Sequence, residues 1–344
     1  MVAVTSFVWL RRAKTKLTKK APCATSISLI KMPAHSPDFY RLIAAGVPKA
    51  LLEILLLLLV NPALAIACAL DGAELFAGVA AVTAGMRAQK LTCIPFEIKL
   101  SRHMDMLSTT GFGLALTLIL RMGMSGRGLL WMAPVCSSWI FMSMGTTMRS
   151  RWTPEGDTSV ACVKDGNIMV CRCVLLAALA HALNLTWIIE QPSSSVMVYH
   201  PRMQWLAKFA CMYWVGGIHM GAYGGDSQKT LKLYSNEQWI EQLYKKLPSE
   251  QKFTNNTVTK SYLNSNGEKK VTGGKGLKAT QAYPLPFGMA VGRAYVKNLR
   301  EKASPAPEMT LSAVTKAIAS MTDADTWCDA ELPAVRAYLS PSMQ

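Results

Sequence analysis

A chain of 344 residues can bury one large core or two modest ones. Its 37 Lys and Arg against 21 Asp and Glu give a net charge of +16, which suits a polyanion such as nucleic acid or a strongly solvated surface. Nine scattered cysteines, an odd number without framework spacing, argue against a secreted disulfide scaffold. Cys171 and Cys173 lack the two-residue gap of a zinc knuckle, so no metal site is expected.

Residues 1–37 hold seven Lys/Arg and no acid, and residues 50–70 form a long apolar stretch interrupted by Glu53, Asn61 and Pro62. Residues 1–70 therefore read as a basic leader with a hydrophobic segment. The segment is an organellar or nuclear targeting sequence, a membrane anchor or a buried helix.

From residue 72 strand-like and helix-like runs alternate. "AELFAG" (73–78) is a short apolar run stopped by Gly78, and "VAAVTAGMRAQK" has helical composition. "LTCIPFEI" (91–98) reads as a strand ending on an acid, "FGLALTLILRMG" as a helix and "GLLWMAPV" (128–135) as a buried strand. "NIMVCRCVLLAALAHALNL" is a long apolar helix and "TWIIEQ" (186–191) the next strand. "SSVMVYHPRMQWLAKFA" has helical spacing interrupted by Pro201, and "CMYWVGGIHM" and "TLKLYSN" look like two more strands. This alternation predicts an α/β fold, a parallel sheet with helices on both faces, whose ligands bind beyond the carboxyl ends of the strands. Gly78, Glu97, Cys136 and Glu190 all fall at or just beyond predicted strand ends.

Residues 71–240 thus form the main domain. Residues 241–280 are polar and basic, with turns at "NSNGEKK" and "TGGKG", and read as an insert with weak regular structure. Residues 281–302 return to the core as a helix, and 303–344 close the chain as a helical tail.

Taken in order, the segments from about residue 72 to 298 resemble the DNA cytosine-5 methyltransferase family. "ELFAGVAAVTAGM" is similar to that family's first motif, with Phe76 and Gly78 in place and Ala80 and Ala81 where glycines are usual. "APVCSSW" resembles the nucleophile motif around Cys136, with Pro134 kept and Val135 in place of the second proline. "IIEQPSSS" resembles the motif whose acid, here Glu190, grips the Watson–Crick edge of the base. "GAYGGDSQKTLKLYSN" resembles the segment in which many members carry two arginines; Lys229 and Lys232 are the cations here.

The resemblance implies a Rossmann-like, mostly parallel seven-stranded sheet and S-adenosylmethionine as cofactor. It places Phe76, Gly78, Glu97, Asp105 and Pro134 at the cofactor, Glu97 on its ribose hydroxyls and Asp105 near its adenine. It implies Cys136, after a fourth strand, as the nucleophile for carbon 6 of cytosine, assisted by Glu190, Lys229 and Lys232. The partner it implies is DNA with the target base flipped out, and RNA or a single strand is the alternative. The family's target-recognition region would have to fit between the Tyr-Gly segment and the closing helix, which is short here. A degenerate relative that binds nucleic acid or acts as a scaffold is the competing reading. A membrane-anchored protein, resting on residues 50–70, is a third.

Overall fold

The computed structural model describes residues 70–301, apart from 124–126, 251–252, 254–258, 264, 268, 274–276 and 278–279. The leader, the hydrophobic segment up to residue 69 and the expected tail at 303–344 lie outside the described residues. Among the described residues no helix is long and apolar enough to cross a membrane.

The chain builds one mixed sheet with helices on both faces. Its strands are β1 (Gly72–Leu75), β2 (Cys93–Phe96), β3 (Leu129–Met132), β4 (Thr186–Pro192), β5 (Tyr213–His219) and β6 (Thr230–Ser235). They lie in the order β2-β1-β3-β4-β6-β5. β1 pairs in parallel with β2 and β3, and β3 with β4, whereas β6 is antiparallel to both neighbours. The central strands are apolar on both sides because both sides are covered: all four residues of β1 and of β3 are buried.

One face carries α2 (Thr109–Gly123), the long α4 (Ala161–Ala182) and α5 (Pro201–Phe209), which pack around Leu75, Met132 and Ile189. The other carries α1 (Ala81–Ala88) and α6 (Leu285–Glu301), packed on Trp131, Ile188 and Leu233. A short helix, α3 (Met144–Thr147), lies in the loop after β3. Pro201 does not interrupt a helix but begins one. It stands in the first turn of α5, where a missing N–H costs nothing, and His200 Nδ1 accepts from Arg202 N at 3.2 Å to cap it.

One expectation needs correcting. Among the described residues the sheet has six strands, the number the alternation itself suggests, and not the seven implied by the resemblance. Among the described residues between β2 and β3 there is one 3₁₀ turn and α2, so the sheet ends at β2 and Cys136 follows the third strand. Trp239, Ile240 and Leu243 are buried in the core under α6, and only beyond them does a separate antiparallel hairpin form, β7 (Thr259–Leu263) with β8 (Lys269–Gly273).

After β1 the chain moves outward to β2 and then returns to the other side of β1 for β3. The strand order reverses there, and in open α/β sheets such a reversal, at the carboxyl ends of the strands, is where ligands bind.

Candidate active site

The loop leaving β1 is tightly wound. Phe76, Gly78 and Ala80 all have left-handed backbones, at φ of 60°, 55° and 57°. For Phe76 and Ala80 this conformation is unfavourable, and the surrounding contacts must hold it. Gly78 faces open space, since a Cβ built on it meets nothing within 4 Å. Its N–H donates to Glu97 Oε2 at 2.9 Å, and Lys99 N donates to Oε1 at 3.2 Å. Glu97 thus laces the end of β2 to the turn after β1, with lone pairs left over for a hydroxyl-bearing ligand.

Glu74, on β1 itself, has a role that the sequence reading missed. Its carboxylate accepts from the backbone N–H and the hydroxyl of Thr83, each at 2.6 Å, and from Val82 N at 3.3 Å. Ala80, at the start of α1, has no side chain to cap the helix, and Glu74 takes over that task from the neighbouring strand. Burial raises its carboxyl above the ordinary range, against the pull of these donors. Asp105 is likewise committed locally: Oδ1 accepts from Leu107 N at 2.9 Å in the turn that leads into α2.

Pro134, Val135 and Cys136 leave the end of β3. Gln191 on β4 fastens this loop: its amide donates to the Pro134 carbonyl at 2.8 Å, and Ser195 Oγ donates back to its oxygen at 2.9 Å. The Cys136 carbonyl accepts from Trp139 N at 2.9 Å. Val135 is 54 % exposed and Cys136 half-buried. Burial raises the Cys136 thiol, the Glu190 carboxylate raises it further, and the Lys229 ammonium opposes both. The loop lies beside the strand of Glu190, because β3 pairs with β4 and Gln191 holds Pro134.

Glu190 lies one strand over, 5 % exposed on β4. The Tyr283 hydroxyl donates to Oε2 at 2.7 Å, and Lys229 Nζ stands 4.0 Å from Oε1. Oε1 is buried and accepts no hydrogen bond from the protein. Burial is the main reason that the Glu190 carboxyl sits above its ordinary range, with Lys229 and then Tyr283 pulling it back.

Lys232 does not join this cluster. In the β4–β6 register Glu190 is opposite Leu233 and Gln191 is opposite Lys232, so Lys232 stands on the other face of the sheet. The two lysines the sequence grouped together are separated by strand alternation.

No protein-family model, no curated protein and no solved structure matches the chain.

The ends of β1 and β2 offer three features that a nucleoside-type cofactor could use. Gly78 leaves open space beside it, Glu97 stands at the end of β2, and the neighbouring side chains Val79, Ile98 and Leu100 are apolar and exposed. Phe76 is half-buried against the core beside that opening. Among the described residues no group of three His, Cys, Asp or Glu is placed to hold a metal ion.

Proposed function

We propose that the chain is an S-adenosylmethionine-dependent methyltransferase of Rossmann-like type that modifies carbon 5 of cytosine in DNA. The observation that carries this reading is the placement of Cys136, Glu190 and Lys229 by three separate segments at the carboxyl end of the sheet, with Lys229 Nζ 4.0 Å from Glu190 and the Cys136 loop fastened to β4. Carbon 5 of cytosine is a weak nucleophile until a thiolate adds at carbon 6.

The Cys136 thiol gives its proton to water, and the sulfur pair of the thiolate so formed makes the bond to carbon 6. Glu190, whose carboxyl burial raises above its ordinary range, gives a proton to ring nitrogen 3 as the bond forms. The displaced electron pair raises the nucleophilicity of carbon 5. When bound, S-adenosylmethionine supplies the electrophilic methyl group, and Phe76, Gly78, Glu97, Asp105 and Pro134 are the residues that would hold it. Water then removes the carbon 5 proton, the sulfur–carbon bond breaks, and Cys136 recovers its electron pair as thiolate. Lys229 offsets the negative charge that moves between Cys136 and Glu190.

The base must leave its stack to reach this site. The basic segment from residue 245 to 302, with twelve Lys/Arg against three Glu, suits the phosphate contacts that would hold the strand. Cytosine in RNA presents the same atoms to Cys136 and Glu190.

One observation favours a second reading, a nucleic-acid-binding module without turnover: both burial and Glu190 raise the Cys136 thiol, which disfavours the reactive thiolate. A single experiment separates the two. An oligonucleotide carrying 5-fluorocytosine traps the adduct, because fluorine on carbon 5 cannot leave as a proton does. With S-adenosylmethionine present, the full chain should form a complex that survives denaturing electrophoresis, and Cys136→Ala should not. Absence of any complex with duplex DNA, single-stranded DNA and RNA bearing the analogue would overturn catalysis and leave the binding module.

A further inference from the structure

Building on the cytosine reading, we propose that Tyr283 is a positioning residue for Glu190, fixing Oε2 so that Oε1 is the oxygen that exchanges a proton with the base. The two residues are 93 positions apart in sequence, and the 2.7 Å bond between them is buried. A tyrosine that merely needed a partner for its hydroxyl would be served by any backbone carbonyl. Here the hydroxyl is spent on one oxygen of a buried carboxyl whose other oxygen has no hydrogen-bond partner. A buried acceptor left open in this way is costly unless a ligand or a proton uses it.

The ring has little freedom. It meets Trp131 edge-on at a centroid distance of 6.0 Å and Phe287 at 5.3 Å, so the hydroxyl is aimed by packing. Tyr283 also stands two residues before α6, so the carboxyl is oriented only when that closing helix is docked.

The charged and titratable groups coupled to Glu190 are Lys229 from the loop before β6, Cys136 from the loop after β3 and Tyr283 itself. Glu74 on β1 acts on Tyr283 from further off. Burial and the Glu190 charge hold the phenol well above its ordinary range, so Tyr283 keeps its proton throughout. As the Cys136 sulfur bonds to carbon 6, the Oε1–H bond breaks and the proton passes to ring nitrogen 3. The carboxylate left behind keeps the hydrogen bond from Tyr283 and the field of Lys229. When the sulfur–carbon bond breaks, the same proton returns to Oε1.

The test follows adduct formation on a 5-fluorocytosine oligonucleotide from about pH 5 to 9, the range where perturbed Glu and Cys side chains titrate. It compares the full-length wild type, Tyr283→Phe and a protein with 3-fluorotyrosine at position 283. Losing a hydrogen bond to a charged group should slow Tyr283→Phe about 10- to 100-fold. One limb of its pH profile should move to higher pH, because Glu190 then holds its proton more tightly. The fluorinated phenol is a stronger donor and should move the same limb to lower pH.

An unchanged limb in both variants overturns the positioning role while the cytosine reading stands. If Tyr283→Phe does not fold, the fluorotyrosine protein decides alone, since it keeps the ring and the bond. If the wild type forms no adduct, the cytosine reading fails and the role of Tyr283 fails with it.

Discussion

Gly85 and Gly288 meet backbone to backbone. A Cβ on Gly85 would stand 1.8 Å from the Gly288 carbonyl oxygen, and one on Gly288 would stand 1.9 Å from the Ala81 carbonyl oxygen. Gly292, one turn further along α6, meets the Gly85 carbonyl oxygen at 2.3 Å in the same test. Helices α1 and α6 therefore touch through a seam with no side chains, and this seam docks the closing helix against the start of the fold. The neighbours are main-chain atoms, so relief requires the helices to separate. Gly85→Ala and Gly288→Ala should each lower stability by about 2–4 kcal/mol in urea unfolding, at the severe end for single substitutions. Gly145→Ala is the control: it is helical, with nothing within 4 Å of the added carbon, and should be neutral or slightly stabilising. Equal effects at all three positions would mean that the seam is not what holds α6.

All six strands of the sheet were readable, the central ones most plainly, because strands covered on both faces must be nearly continuous in Leu, Ile and Trp. "LLWM" and "TWII" are the plain cases. Strand direction was not readable: β6 carries an ordinary alternating pattern whichever way it runs. The seventh strand came from the family resemblance and not from any run in the chain. Cys136 and Glu190 were legible as polar residues at strand ends. Tyr283 was not, since its partner lies far away in sequence and its own neighbours only announce a helix. Lys229 and Lys232 could not be told apart either, because their faces depend on the β4–β6 register. Glu74 lay inside a recognised motif, yet its task as the cap of α1 emerges only when Ala80 is seen to offer none.

The Cys136 thiol should report directly on its two charged neighbours. Glu190 raises it and Lys229 lowers it, so Glu190→Gln should bring it down and Lys229→Met should push it up. Iodoacetamide reacts with the thiolate, so alkylation of Cys136 at a fixed pH near neutrality should speed up in the first variant and slow in the second. Changes of about 3- to 10-fold are expected for shifts of half a unit to one unit. Cys162 and Cys211 are exposed and serve as internal references when peptides are quantified by mass spectrometry. Parallel changes at the reference cysteines, or changes of the same sign in both variants, would refute the coupling.

His200 should make the fold acid-sensitive. It is buried against Trp139, and desolvation together with Arg149 and Arg202 lowers its folded-state pKa to about 3. In the unfolded chain it titrates near its ordinary value of about 6.5. Between these two values the unfolded chain binds the extra proton, so stability contributed by neutral His200 is present above the upper value and lost as pH falls. The slope approaches about 1.4 kcal/mol per pH unit within that window. His200→Asn keeps a side-chain acceptor for the Arg202 N–H and should flatten the dependence of urea midpoints on pH between about 6.5 and 4. A midpoint that falls as steeply with acid in the variant as in the wild type would assign the sensitivity elsewhere.

Glu74 carries the opposite sign. Its carboxyl is raised in the fold mainly by burial, so the folded state holds the proton more tightly than the unfolded chain does. The stability it contributes is complete below the unfolded value of about 4.3 and is lost as pH rises through the raised folded value. Glu74→Gln is neutral at every pH and keeps one oxygen for the Thr83 donors, so its stability should lack this decline and exceed the wild type at neutral pH. Glu74→Ala removes the acceptor altogether. It strands the Thr83 N–H and hydroxyl and the Val82 N–H in a buried place, and α1 loses its only cap among the described residues. That variant should lose about 1–3 kcal/mol at any pH. Urea titrations of the three proteins at pH values on either side of the folded pKa separate the terms, because charge acts through pH and capping does not. If Gln destabilises as much as Ala, neither the volume nor a single acceptor oxygen is what Glu74 supplies, and the cap assigned to it is wrong.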